Sequence, residues 1–415
     1  MKKLLLIATL VLAGTAAGTP AAAHPTRPDL DSVRVWNELT LSAVRVTRAG
    51  DADAARLYAM VDAAIFDAVN GLRSGRDHHR PVLVAGTGPR GADPQAAAAG
   101  AAHAVLVRAD AERAATYDAQ LAADLARLGP GTPVTRGAVW GDTVGIAVVD
   151  ARAGDGSRPV ETQTAGAGPG VFRADWSGVQ YRNVRPFAVA DPARYLPGPP
   201  PALTSAAYVQ AFDEVKTLGD GAVAAPDLLA TYQFWSLPAG SVQPPGEWLR
   251  IALTVSAQRR LPLAEQARLT ALLTVALADT TIPTVAAKFT YRHWRPTTAI
   301  REAGTDGNAA TVPDPAWTAR AGSVGGTPEY VSGHSAYSRA AATVLAGYFR
   351  TDRITFTHAT DTAPGGVART YPGFSAAADE AGRSRIYGGQ HFPFSDVAAQ
   401  TIGRGVATEV LTRLR

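Results

Sequence analysis

The chain has 415 residues, of which 46% are hydrophobic and 18% are charged, and it contains no cysteine. This composition is typical of a folded protein with a large buried core and excludes a disordered chain. The net charge of +4 is small, and basic and acidic residues are interleaved without a basic run, which excludes a dedicated nucleic-acid binder. The lack of cysteine excludes disulfides and thiolate chemistry.

The N-terminus has the pattern of a secretory signal peptide: two lysines, an apolar run from Leu4 to about Ala13, and a small-residue end. We predict cleavage after Ala23, so that residues 1–23 are removed and the mature protein is secreted, periplasmic or extracellular. An uncleaved N-terminal anchor is the alternative. The apolar run is too short to span a bilayer and no later stretch reaches about 18 uninterrupted apolar residues, so no membrane span is expected in the mature chain.

The first part of the mature chain is predicted to be helical, because apolar residues recur three and four positions apart. The predicted helices cover residues 28–47, 51–72, about 93–129 and 135–156. Residues 154–203 differ, since they are rich in glycine and proline yet carry five aromatic residues, too many for a disordered linker. We predict a long ordered meander there, which either covers a site or only packs on the core.

Helices are predicted again from residue 205 onward, and no repeat or alternation of strands and turns is present. The fold class is therefore predicted as all-α, with two packed helical bundles joined by the long irregular segment. The predicted division is an N-terminal helical region, 24–203, which includes the meander 154–203, and a C-terminal bundle, 204–415, which carries the functional site.

The stretch AAKFTYRHWRP contains two cationic side chains, Lys288 and Arg295. Lys288 is one of only four lysines in a chain that otherwise uses arginine. Seven residues are close to two helical turns, so both side chains are expected on nearly the same helix face, with Pro296 limiting the helix beyond them. Two such cations repel each other unless an anion lies between them; a solvated helix face is the alternative.

The sequence VSGHSAYSRAAATVLAGYF predicts a helix with Ser332 as its N-cap. Backbone N–H groups and the helix dipole favour an anion at such a helix start. His334 lies in the first turn, beside any anion bound there. The tripeptide S-G-H is common, so it carries little weight alone.

Arg385 and His391 are six residues apart in GRSRIYGGQHFPFSD. On an unbroken helix their side chains would point about 120° apart. Gly388–Gly389 and Pro393 predict a break between them, which would let both side chains converge on one point. A core histidine near a surface arginine is the alternative.

In order, these elements read K-x6-R-P, S-G-H and S-R-x5-H within about 105 residues. This combination resembles the superfamily that joins vanadium-dependent haloperoxidases with type 2 phosphatidic acid phosphatases. Stretches such as ARLYAMVDAAIFDAVNG and RIYGGQHFPFSD resemble its bacterial haloperoxidase branch, and the resemblance covers nearly the whole mature chain. The small phosphatases of the superfamily lack such a long N-terminal half, and the membrane-bound ones carry spans that are not seen here.

The resemblance implies a vanadate site, which phosphate can also occupy. It implies His391 as the axial ligand to vanadium, His334 as the acid–base group and Lys288 as the group that polarises bound peroxide. The implied function is a secreted vanadium-dependent haloperoxidase, which uses hydrogen peroxide to oxidise halide to a hypohalous species that reacts with a small organic acceptor. The residues implied to hold vanadate are Lys288, Arg295, Ser332, Gly333, Arg385 and His391.

Two alternatives remain open. One is a secreted acid phosphatase that forms a phosphohistidine on His391, and the other is an oxyanion-binding relative with little turnover. The halide, the organic acceptor and pairing into a homodimer also stay open. The candidates for halide choice are Thr327, Tyr330 and Trp294.

The sequence departs from the family pattern at two places. The family commonly has proline before S-G-H, where this chain has Val331. The family also often has an aspartate four residues after the last histidine, where this chain has Ser395, with Asp396 one position later. A carboxylate that orients the ring of His391 is therefore expected to be shifted or missing. His293, inside the first element, is expected to point away from the site.

Overall fold

The computed structural model describes residues 31–75 and 78–414, which are mostly α-helical, so the predicted all-α class is confirmed. The predicted signal peptide, residues 1–23, lies outside the described residues. The helices are α1 (Ser32–Thr47), α2 (Asp51–Gly71), α3 (Pro94–Ala109), α4 (Ala114–Leu128), α5 (Thr132–Arg152), α6 (Ala206–Leu218), α7 (Pro226–Phe234), α8 (Gln243–Gln258), α9 (Leu263–Tyr291), α10 (Pro296–Arg301), α11 (Gly333–Phe349), α12 (Phe374–Tyr387) and α13 (Pro393–Arg413).

The described strands form two short antiparallel ribbons. In one, β1 (Thr162–Gln163) pairs with β2 (Trp176–Ser177); in the other, β3 (Phe356–His358) pairs with β4 (Arg369–Tyr371). The first ribbon lies inside the predicted meander, which also contains the 3-10 helices Val179–Asn183 and Pro192–Tyr195. The meander is ordered, as predicted.

Helix α9 is the central element of the protein. Its residues from Gln266 to Val285 are almost all buried, and it packs against α2, α8, α11 and α13. Among the described helices it alone is long and apolar enough to cross a membrane, but 83% of its most apolar window is buried inside the protein. One hydrophobic cluster contains residues from both predicted parts of the chain, from Val33 to Leu414, and the predicted boundary at residue 204 stays a prediction.

Small residues let neighbouring helices approach closely. A Cβ atom at Gly141 of α5 would lie 2.1 Å from the carbonyl oxygen of Ala97 in α3, and one at Gly403 of α13 would lie 2.2 Å from that of Ala336 in α11. Any larger residue at either position would force the helices apart. The second contact matters for function, because α11 and the chain before α13 carry two of the predicted site elements.

The end of the meander is attached to α9 by a buried carboxylate. Asp279 accepts hydrogen bonds from the backbone N–H groups of Phe187, Ala188 and Val189, at 2.7, 2.8 and 2.9 Å. Three donors on one fully buried side chain satisfy backbone groups that would otherwise be costly to bury. The meander is therefore an integral part of the helical body.

Candidate active site

The first predicted element is not a single helix. α9 ends at Tyr291, because Arg292 adopts a left-handed conformation (φ 48°) and its N–H bonds back to the Lys288 carbonyl. Arg295 lies beyond this turn as the residue before α10. The expectation that one helix face presents both Lys288 and Arg295 was therefore wrong; the turn between them brings the two side chains to one place.

The meander holds this turn in position. The N–H of Phe172 donates to the Arg292 carbonyl at 2.7 Å, and the N–H of Trp294 donates to the Gly170 carbonyl at 3.0 Å. The Arg292 guanidinium also donates to the Thr164 carbonyl at 2.7 Å. The segment between Lys288 and Arg295 is thus fixed by backbone contacts with a part of the chain more than a hundred residues away.

The second element has the predicted form. Ser332 caps α11: its Oγ accepts from the N–H of Ser335 at 3.3 Å and from the Ser335 hydroxyl at 2.8 Å. Because Ser332 Oγ accepts both bonds, its own hydrogen is available to a further acceptor. Gly333 is the first residue of the helix, so its N–H has no partner within the helix.

His334 is held by the segment between α7 and α8. Its Nε2 lies 3.0 Å from the Ser236 carbonyl oxygen, which can only accept, so Nε2 carries the proton and Nδ1 is a free acceptor. Burial, together with the charge of Arg385, holds the pKa of His334 well below its usual value. His334 is therefore a neutral imidazole at neutral pH.

The third element breaks where predicted. α12 ends at Tyr387 and α13 begins at Pro393, with Gly389 in a left-handed conformation (φ 69°) between them. Arg385 points its guanidinium at the Trp235 carbonyl, 3.5 Å away, and over the ring of Tyr232, and its buried Nε has no hydrogen-bond partner.

The three elements converge on one buried cluster of positive charge. Arg295 Nη1 lies 3.0 Å from His391 Nε2, and the Lys288 amine donates to the Pro328 carbonyl at 2.5 Å. Lys288, Arg295, Arg385 and His391 expose only 7, 5, 6 and 3% of their surfaces.

Burial and mutual repulsion shift these groups away from the charged state. They lower the pKa of Lys288 to about 7, where the Arg295 charge is the second cause, and that of Arg295 to about 10. Burial also lowers the pKa of Arg385. An anion bound between these desolvated cations would stabilise their charged forms.

Glu329 is a site residue that the sequence did not reveal. It is fully buried, and its Oε1 accepts from His391 Nδ1 at 3.0 Å and from the N–H of Phe392 at 3.0 Å. Burial alone would raise the pKa of Glu329, but its contacts with His293 and His391 hold it well below the usual value. The carboxylate therefore fixes the proton of His391 on Nδ1 and leaves the Nε2 lone pair facing the cations.

The carboxylate that orients His391 thus comes from Glu329, on a different element from the position four residues after His391. Ser395 Oγ lies 3.4 Å from His391 Nδ1 and donates to the Glu329 carbonyl, whereas Asp396 accepts from Gln400 and takes no part in this contact. His293, expected to point away, lies with Nδ1 3.3 Å from Glu329 Oε2, whereas His391 contacts Oε1. The one sequence feature that could have indicated Glu329 is its position as an acidic residue inside the apolar stretch T-P-E-Y-V.

The three candidates for halide choice lie in different places. The carbonyl of Thr327 accepts from Arg295 Nε at 2.8 Å and its hydroxyl lies 3.3 Å from Nη2, so Thr327 contacts the cluster. Tyr330 directs its hydroxyl to the Gly198 carbonyl, and Trp294 donates to the Tyr208 hydroxyl. Both side chains are buried among other aromatic rings.

Residues 268–415, which contain all seven predicted site residues, match the family model described as the VCPO second helical-bundle domain. The predicted resemblance to the vanadium-dependent haloperoxidase family is thereby confirmed. No curated protein matches the chain in sequence.

The fold of the chain is similar to that of solved bacterial structures over nearly its whole length. One is described as the first bacterial vanadium-dependent iodoperoxidase, with a TM-score of 0.81 and 22% identity over 94% of this chain and 98% of that one. Bacterial vanadium-dependent chloroperoxidase matches in its apo form (TM-score 0.65, 18% identity, 86% and 92% covered) and its holo form (0.66, 18%, 94% and 94%). At these identities the likeness shows the fold.

The site should lose affinity for a tetrahedral anion as Lys288 loses its proton. Sulfate keeps the same charge between pH 6.5 and 8.5, and the lowered pKa values leave both His334 and His391 neutral there. Since the pKa of Lys288 lies near 7, sulfate affinity measured by calorimetry should fall roughly tenfold or more over this range. Lys288→Arg should flatten the profile and Lys216→Arg, at a surface lysine, should not; equal slopes in all three proteins would contradict this role.

Loss of the Glu329 carboxylate should release the ring of His391. In Glu329→Leu two buried donors lose their acceptor, so we expect a loss of about 3–5 kcal/mol in the free energy of unfolding. The ¹⁵N shifts of His391 should change from a protonated Nδ1 and bare Nε2 to a mixture of tautomers. Asp396→Asn, the matched control, should leave the ring unchanged, and an unchanged ring in Glu329→Leu would refute the assignment.

Proposed function

We propose that this protein is a secreted vanadium-dependent haloperoxidase, which oxidises halide with hydrogen peroxide. The observation that carries the proposal is a buried cluster that contains three cations, Lys288, Arg295 and Arg385, and the single carboxylate Glu329. The unprotonated Nε2 of His391 faces these cations and lies 3.0 Å from Arg295 Nη1. The family match and the fold support the same activity.

The residues present fit a tetrahedral oxyanion such as vanadate. The two guanidinium groups and the Lys288 amine would neutralise its oxygens, and Arg385 has a buried Nε–H without a partner. The Ser332 hydroxyl and the Gly333 N–H would donate further hydrogen bonds. His391 Nε2 would supply the nitrogen ligand, because Glu329 holds the proton on the opposite ring nitrogen.

When bound, vanadate would supply Lewis acidity toward peroxide without a change of oxidation state or a need for an electron-transfer partner. The protein would supply charge neutralisation and proton handling. His334 would accept a proton on Nδ1, because the Ser236 carbonyl occupies its Nε2–H. The pKa of Lys288 lies near 7 without a bound anion, and an oxyanion beside the amine would favour its charged form.

An acid phosphatase is the competing function, since the same arrangement also suits phosphate. The unprotonated Nε2 of His391 can act as a nucleophile as well as a ligand, so its attack on phosphorus would form a phosphohistidine. The third function, anion binding with little turnover, would use the same contacts. Secretion is proposed from the pattern of residues 1–23 alone.

Bromination of a phenol-type dye by the purified mature chain tests the proposal, measured with and without orthovanadate and beside hydrolysis of a simple phosphate ester. We expect vanadate-dependent bromination that falls to background in His391→Ala, because the nitrogen that would bind vanadium is lost. His103→Ala, whose ring contacts Asp118 outside the site, should keep full activity. Ester hydrolysis that vanadate inhibits, without bromination, would replace the haloperoxidase with the phosphatase.

A further inference from the structure

A carboxylate from the N-terminal part of the chain reaches the edge of the cationic cluster. Asp51 is the first residue of α2, and its Oδ2 lies 3.5 Å from the position that a Cβ atom at Gly333 would occupy. Gly333 is buried and begins α11, so its N–H is one of the donors expected to face the oxyanion. Asp51 itself is exposed to solvent. It therefore marks a place where the buried cluster meets water.

Asp51 has no strong partner of its own. Its Oδ1 accepts the N–H of the next residue, Ala52, at 2.8 Å, and none of the ion pairs among residues 31–75 and 78–414 includes it. Although the residue is exposed on one side, the protein atoms packed around its carboxylate raise the pKa of Asp51, and the nearby Lys288 charge opposes this shift. A negative charge this close to an anion site weakens the binding of the anion.

We propose that Asp51 selects among oxyanions by their charge, so that the site prefers a singly charged oxyanion to a doubly charged one. The inference rests on the proposed function, because it concerns the anion that the cluster holds. At pH 7.5 inorganic phosphate is mostly a dianion, whereas dilute vanadate is mostly a monoanion. Repulsion by one fixed charge is twice as large for the dianion, so Asp51 disfavours phosphate more than vanadate.

Asp53 provides a matched control two residues further along the first turn of α2. It has the same charge and is partly exposed, but its Oδ1 accepts from Arg158 at 3.0 Å and from the Tyr181 hydroxyl at 2.7 Å. Its charge is thus compensated locally. Removing it changes the net charge of the protein as much as removing Asp51 does.

The test is the dissociation constant of phosphate and of dilute orthovanadate, measured by calorimetry at pH 7.5 and low ionic strength. We compare the wild-type chain with Asp51→Asn, Asp51→Glu and Asp53→Asn. Asp51→Asn should tighten vanadate about threefold and phosphate about tenfold, and the gain should shrink as salt is added. Asp51→Glu should resemble the wild type, and Asp53→Asn should change either constant less than twofold.

Equal changes for the two anions in Asp51→Asn, or no change, would overturn the proposal while leaving the oxyanion site intact. If the wild-type chain binds neither anion, the proposed function falls together with it. Thermal unfolding of each variant checks that the fold is retained. A structural role alone would not produce an effect that follows the charge of the anion and the ionic strength.

Discussion

The burial of three cationic side chains against one carboxylate is the constraint on which the rest of this structure depends. Each of Lys288, Arg295 and Arg385 has lost most of its water, and the resulting desolvation lowers the pKa of all three. Such an arrangement costs stability in the empty protein unless the surrounding structure holds it together. An oxyanion bound among the three groups would offset their repulsion and desolvation. Binding would therefore raise the free energy of unfolding.

The surrounding structure is built to hold the cluster. The meander fixes the turn at Arg292 through backbone hydrogen bonds, and Asp279 attaches the end of the meander to α9. The close contact at Gly403 sets α13 against α11, so that His391 and Ser332 come from elements in fixed relation. These contacts come from distant parts of the chain, so the site is a property of the whole fold and cannot be assigned to the motifs alone.

The sequence predicted the helices, and the elements that converge in the cationic cluster, better than it predicted the arrangement of their side chains. The N-cap at Ser332 and the break after Arg385 follow from local rules, because a serine before a helix and paired glycines act on their own neighbours. The left-handed turn at Arg292 has no such local signal, since arginine seldom adopts that conformation. Glu329 could not be assigned either, because only the tertiary fold brings it to His391.

The central claim is that the cationic cluster holds an oxyanion with His391 as a ligand, and a crystal structure of the protein grown with orthovanadate tests it most directly. The account predicts anomalous density for vanadium among Lys288, Arg295 and Arg385, within bonding distance of His391 Nε2, with His391 Nδ1 still on Glu329. Density elsewhere in the protein, or an oxyanion in the cluster that His391 does not contact, would contradict it.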